Sequence, residues 1–144
     1  AFGPASRRDI GAWSMMHVPE LARALELLEP LRRFRDEKGR ELLDVQRAPL
    51  PAADTPARVR FLPKWDNVLL AFADRTRVLP EQYRKTVIGT NGDVAQTFLV
   101  DGFVAGTWSV VKGRVAVAPF APLSRSARSE LKEEAERLEA FLAD

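Results

Sequence analysis

The chain has 144 residues, 46% apolar and 29% charged, with 8 Gly, 10 Pro, no Cys and a single His, His17. This composition excludes a disordered tail, a collagenous chain, a disulfide scaffold and a thiolate metal site, and it leaves a histidine-based relay almost nothing to work with. No apolar run reaches the length that spans a bilayer and nothing resembles a secretory signal, so a cytoplasmic protein that meets no membrane is expected. The chain opens Ala1-Phe2-Gly3-Pro4 without an initiator Met and reads as a piece of something longer.

The formal net charge of +2 is too small to demand a polyanionic partner. Its distribution says more. Residues 58–85 carry seven basic side chains against three acidic ones, whereas residues 124–144 carry four against six. Arg outnumbers Lys 17 to 5, which favours bidentate contacts to phosphate or carboxylate, although a GC-rich genome gives the same bias. A basic middle followed by an acidic helix suits a body that meets nucleic acid on one face; charges scattered over a solvated surface remain the bland alternative.

In chain order, Ser6 with Asp9 three residues on signals a helix start, and a short helix to about Met16 is expected to bury Ile10, Trp13 and Met16. Pro19 suits the first turn of a second helix, on which Leu21, Ala24, Leu25, Leu28 and Leu31 form one apolar stripe. Leu31–Arg35 and Glu41–Val45, separated by Asp36-Glu37-Lys38-Gly39, read as a β-hairpin. Two helices and a basic-flanked hairpin match the latter part of a winged helix, with its first helix upstream of Ala1. The domain is set at residues 1–46. Residues 47–57, with three prolines, read as a linker.

Residues 58–144 are expected to form a β-rich domain. Val59–Leu62 reads as a strand stopped by Pro63, Asn67–Phe72 as strand or helix, and Pro80–Val87 as a short helix. Gln96–Val100, Phe103–Val111 and Arg114–Pro119, joined by Asp101-Gly102 and Lys112-Gly113, form a three-stranded antiparallel meander with type I′ turns. A helix from about Ser124 closes the chain with Leu131, Ala135, Leu138 and Leu142 on one face. The fold class is therefore α+β: a partial winged helix followed by an antiparallel, barrel-like domain with a C-terminal helix.

Side-chain catalysis is hard to build here. There is no Gly-x-Ser-x-Gly elbow and no Gly-rich phosphate loop. Asp66 and Asp74 form an acid/base pair only if they share a cleft; otherwise they are caps or partners of Arg75 and Arg77. Asp93 and Asp101 lie in turn sequences, and His17 lies between two helices. Trp13, Trp65 and Trp108 are candidate stacking residues, of which Trp65, beside Pro63 and Lys64, is the best placed. The second helix is acidic, with Glu20, Glu26 and Glu29 around Arg23, so it is a poor reader of base edges. Residues 32–41 of the hairpin carry five basic residues against three acidic.

Phe2-Gly3-Pro4-Ala5-Ser6 with Asp9, Ile10 and Trp13, then Phe61-Leu62-Pro63-Lys64-Trp65-Asp66-Asn67, Ala73-Asp74-Arg75-Thr76-Arg77-Val78-Leu79, Asn91-Gly92-Asp93 and Phe98 to Trp108 together resemble the winged-helix DNA-binding family that includes the AlkZ-like DNA glycosylases. The resemblance covers essentially the whole chain. It implies tandem winged helices followed by a barrel-like region, excision of alkylated or crosslinked bases, and no metal or cofactor. Its catalytic signature, Gln-x-Gln in an N-terminal winged helix, is absent: Gln46, Gln82 and Gln96 stand alone, and Gln82-Tyr83-Arg84 has the wrong third residue. No catalytic residue is carried over, and the active site is expected outside this chain. A non-enzymatic DNA-binding or regulatory protein and a protein-interaction domain stay open.

The partner expected is double-stranded DNA, met by a monomer. Arg58, Arg60, Lys64, Arg75 and Arg77, with Arg33, Arg35 and Lys38 of the wing, are expected to contact phosphates and position the duplex.

Overall fold

A computed structural model describes residues 3–143; Phe2, which opens the first motif, and Asp144 lie outside them. The order is α1 (Arg7–Ser14), α2 (Val18–Leu27), β1 (Leu31–Arg35), β2 (Glu41–Val45), β3 (Arg60–Leu62), α3 (Asn67–Leu70), two 3-10 turns (Arg75–Arg77 and Glu81–Tyr83), α4 (Arg84–Val87), β4 (Thr97–Val100), β5 (Phe103–Val111), β6 (Arg114–Pro119) and α5 (Arg125–Ala143). The chain divides into two compact units. One runs to Ala53 and takes in Asn67–Arg75; the other holds Asp54–Asp66 and continues from Thr76.

The first unit starts at the cap that the sequence announces. Ser6 Oγ accepts the Asp9 N–H at 3.2 Å, and the Ser6 N–H donates to the Asp9 carboxylate at 2.9 Å, a reciprocal capping box. Leu21 and Leu25 of α2 and Leu43 of β2 are buried together, with Ile10 and Leu31 packed against them. The hairpin pairs Leu31 with Val45 and Arg35 with Glu41, the register that the turn sequence implies. Ala5 extends the ladder, exchanging two backbone hydrogen bonds with Leu43 at 2.9 and 2.8 Å. Trp13 departs from expectation. It is 54% exposed, because an eight-residue α1 is too short to bury a full stripe and only Ile10 reaches the core.

Residues 67–75 read as part of the sheet domain in sequence, yet they pack within this unit. Asn67–Leu70 resolves as a single helical turn, with Leu69 buried. Asp9 holds the segment that follows: its carboxylate accepts the Ala73 N–H at 2.9 Å.

The second unit is built on an antiparallel sheet in the order β3-β4-β5-β6. Asp101 and Gly102 (φ 50° and 79°) and Lys112 and Gly113 (φ 51° and 76°) are left-handed pairs, as type I′ hairpin turns require. Val59, Phe98 and Leu131 form one core cluster, with Phe61, Val100, Ala105 and Leu123 packed against it. Phe98 is fully buried over Gly106, where a Cβ would stand 2.5 Å from the Phe98 ring and 2.5 Å from the Ala118 carbonyl oxygen. Only glycine leaves room for that ring.

The barrel expectation is corrected: the sheet is open. β3 has three residues and pairs only with β4, and among the described residues no ladder joins it to β6, so both are edge strands. Closing a barrel takes more and longer strands than these four. Part of the β6 edge is covered by α5 instead, since Glu139 accepts the Val115 N–H at 2.7 Å and Arg114 at 3.0 Å. On α5, Ala127 and Leu131 are buried, but Leu142 is 51% exposed.

Candidate nucleic-acid interface

The eight expected phosphate contacts divide between the two units. Arg33, Arg35, Lys38 and Arg75 belong to the first, and Arg58, Arg60, Lys64 and Arg77 to the second.

In the first unit the hairpin cations are largely matched by carboxylates. Arg33 pairs with Glu41 at 3.0 Å and also with Glu29. The Glu41 hydrogen bond, with Glu29 alongside, lifts the guanidinium further above its ordinary pKa, so it is permanently charged. Arg35 donates to the Gly39 carbonyl at 3.0 Å across the turn. Lys38 at the hairpin tip and Arg40 behind it converge on Asp74, at 3.7 and 3.0 Å, while Asp36 takes the Arg40 Nε at 2.6 Å. Arg75, next in sequence, donates its Nε to the Leu69 carbonyl at 2.9 Å and is half-buried. The structure thus brings Lys38, Arg40, Asp74 and Arg75 into one neighbourhood. Arg40, one of the five basic hairpin residues, is not among the expected phosphate contacts. Its spacing of four from Asp36 across a Gly turn was the signal, and Asp74 as a common partner had none.

Asp9 supports this neighbourhood from below. Burial pushes its carboxyl pKa up, but hydrogen bonds from Ser6 and from the backbone N–H groups of Ala73 and Asp74 outweigh that and hold it below the ordinary range. The carboxylate is therefore a structural anchor for the segment that carries Asp74 and Arg75.

In the second unit Arg60 pairs with Glu134 at 3.5 Å and Lys64 with Asp93 at 3.2 Å. Arg58 is exposed and has no ion pair among the described residues, as do Arg125 and Arg128 on α5, which the acidic balance of that helix had hidden. Arg77 is exposed. All these ion pairs are solvent-exposed on the cationic side, and exposed pairs hold by about 1 kcal/mol or less, so a phosphate can compete for either cation.

The other candidates resolve as follows. Asp74 is occupied by Lys38 and Arg40, and it falls in a different unit from Asp66. Asp93 belongs to the Asn91-Gly92 turn, with its N–H on Asn91 Oδ1 at 3.1 Å, and Asp101 is the first residue of a type I′ turn. The His17 backbone N–H donates to Glu20 at 3.3 Å at the start of α2. Trp108 is half-buried and gives its Nε1–H to the Leu62 carbonyl at 2.9 Å, whereas Trp65 is 57% exposed. Among the described residues no cluster of three or more His, Cys, Asp or Glu side chains is placed to hold a metal ion, and no helix is long and apolar enough to cross a membrane.

A sequence-family model described as DNA glycosylase AlkZ-like matches residues 1–141. The chain belongs to that family. Its fold is similar to that of a solved structure, the DNA glycosylase AlkZ of Streptomyces sahachiroi, with a TM-score of 0.78 at 23% identity. The match covers 96% of this chain and 39% of that one, so the chain spans well under half the length of its AlkZ relative. A search of curated proteins returned no match.

Proposed function

We propose that this chain is the DNA-holding part of an AlkZ-like DNA glycosylase, gripping duplex phosphates while base excision takes place on a portion of the protein that these residues do not contain. The observation that carries the proposal is membership of the AlkZ-like family over nearly the whole chain, in a sequence without the Gln-x-Gln signature. In this reading α1, α2 and the β1–β2 hairpin are the latter part of a winged helix, with the hairpin as its wing. The second helix of a winged helix ordinarily enters the major groove. Here α2 presents Glu20 and Glu26 around a single Arg23, which phosphates repel, so the hairpin and the neighbouring cations make the contact.

Arg33, Arg35, Lys38 and Arg75 of the first unit and Arg58, Arg60, Lys64 and Arg77 of the second are the proposed phosphate contacts. Phosphate contacts carry no sequence code, so the protein positions double-stranded DNA, as a cytoplasmic monomer, without choosing where it binds. The test is a titration of fluorescent duplexes with the wild type and the Arg75→Ala/Arg77→Ala variant. The double variant binds every duplex more weakly by a similar factor, with its melting temperature checked because Arg75 also bonds Leu69. Normal binding by this variant together with loss of binding in Arg23→Ala overturns the reading.

A further inference from the structure

We propose that Trp65 is a base-stacking residue, whose indole takes the face of an unpaired DNA base while the cations around it hold the backbone. The inference rests on the DNA-holding reading above and adds to it a contact with a base. The turn Pro63-Lys64-Trp65-Asp66 follows directly on β3. Trp65 stands at φ 55°, in the left-handed region that bulky L side chains rarely adopt. The other left-handed residues among those described are Gly39, Gly92, Gly102 and Gly113 with Met15, Asp101 and Lys112, so Trp65 is the one aromatic among them.

Such a conformation persists only where its surroundings fix it, and here the strand leading into the turn is held on its upstream side. Upstream, the Leu62 carbonyl is held by the Trp108 indole N–H at 2.9 Å. Phe61 packs edge-on against Phe98 and Trp108, with ring centroids 6.2 and 5.3 Å away. On the turn itself, Lys64 is tied to Asp93 at 3.2 Å. A tryptophan kept for stability turns inward, as Trp108 does. Trp65 is 57% exposed at the end of a braced turn, with the side chains of Arg60 and Lys64, 55% and 57% exposed, on the residues leading to it. An exposed indole that follows basic residues in sequence suits stacking on an unpaired base independently of sequence, because every base has a π-face.

The variants Trp65→Gly and Trp65→Phe separate the roles. Glycine adopts φ 55° freely, so Trp65→Gly removes the ring without straining the turn. The probe is a duplex with one 2-aminopurine opposite an abasic site; its anisotropy reports binding and its own fluorescence reports stacking. Wild type and Trp65→Phe bind and quench the 2-aminopurine. Trp65→Gly melts no lower than wild type, binds roughly tenfold more weakly and leaves the fluorescence unquenched. Binding with quenching that survives in Trp65→Gly, or with none in the wild type, overturns the stacking role and leaves the phosphate grip standing. A lower melting temperature with unchanged affinity assigns Trp65 to the fold and overturns it too. Absence of all binding by the wild type at low salt overturns the DNA reading and this inference with it.

Discussion

The Asp9 carboxylate accepts the backbone N–H of Ala73 at 2.9 Å across 64 positions of sequence, while its other oxygen caps α1 through Ser6. One side chain thereby starts a helix and holds in place the segment that carries Asp74 and Arg75.

Asp9→Ala removes both tasks. Losing the cap costs about 1 kcal/mol, and leaving the Ala73 N–H without its acceptor adds about 1–3 kcal/mol, so the loss is about 2–4 kcal/mol. Urea denaturation checks it. The sign with pH follows from the depressed carboxyl: the stabilisation is fully present above the ordinary Asp value of about 4 and is lost as pH falls through the lower folded value. The Asp9→Asn variant is less stable at neutral pH and loses less of its remaining stability on acidification than the wild type does.

Gly106→Ala tests the sheet core. The added methyl meets the Phe98 ring and the Ala118 carbonyl at 2.5 Å, and neither can yield cheaply, since Phe98 is fully buried and Ala118 is paired with Thr107. A loss of about 3 kcal/mol is expected in thermal or urea unfolding. Ala at this position without cost would mean that the Phe98 ring has room to move.

What could be read in advance was local. The Ser6…Asp9 cap, the two hairpin strands and the two type I′ turns each depend on residues a few positions apart whose chemistry admits few alternatives. The association of residues 67–75 with the helices was not legible, because it runs through a backbone N–H, which every non-proline residue carries. The open sheet was not legible either, since a three-residue β3 looks in sequence like any strand stopped by proline. The cations themselves could be picked out, but not their partners: Asp74 lies far along the chain from Lys38 and Arg40, and charge counts by segment cannot pair them.

That pairing makes its own prediction. Asp74→Asn takes the shared carboxylate from Lys38 and Arg40, which leaves Lys38 to phosphate and Arg40 with Asp36 as its remaining partner. DNA affinity at low salt rises by about two- to tenfold, within what exposed ion pairs of up to about 1 kcal/mol each allow, and the dependence on salt steepens. Fluorescence anisotropy at fixed salt reads the change. A weaker complex from a variant that melts like the wild type would show that Asp74 positions the hairpin for DNA.

The most direct measurement is binding to two duplexes of unrelated sequence while the salt is raised from about 50 to about 200 mM, for the wild type and for Arg58→Ala. Arg58 is the most telling choice because it is exposed and has no ion pair among the described residues to obscure its loss. Phosphate gripping predicts equal affinity for both duplexes and a steep fall with salt, with a log–log slope about one smaller in Arg58→Ala. Affinity that differs strongly between the duplexes, or that barely changes with salt, would contradict it.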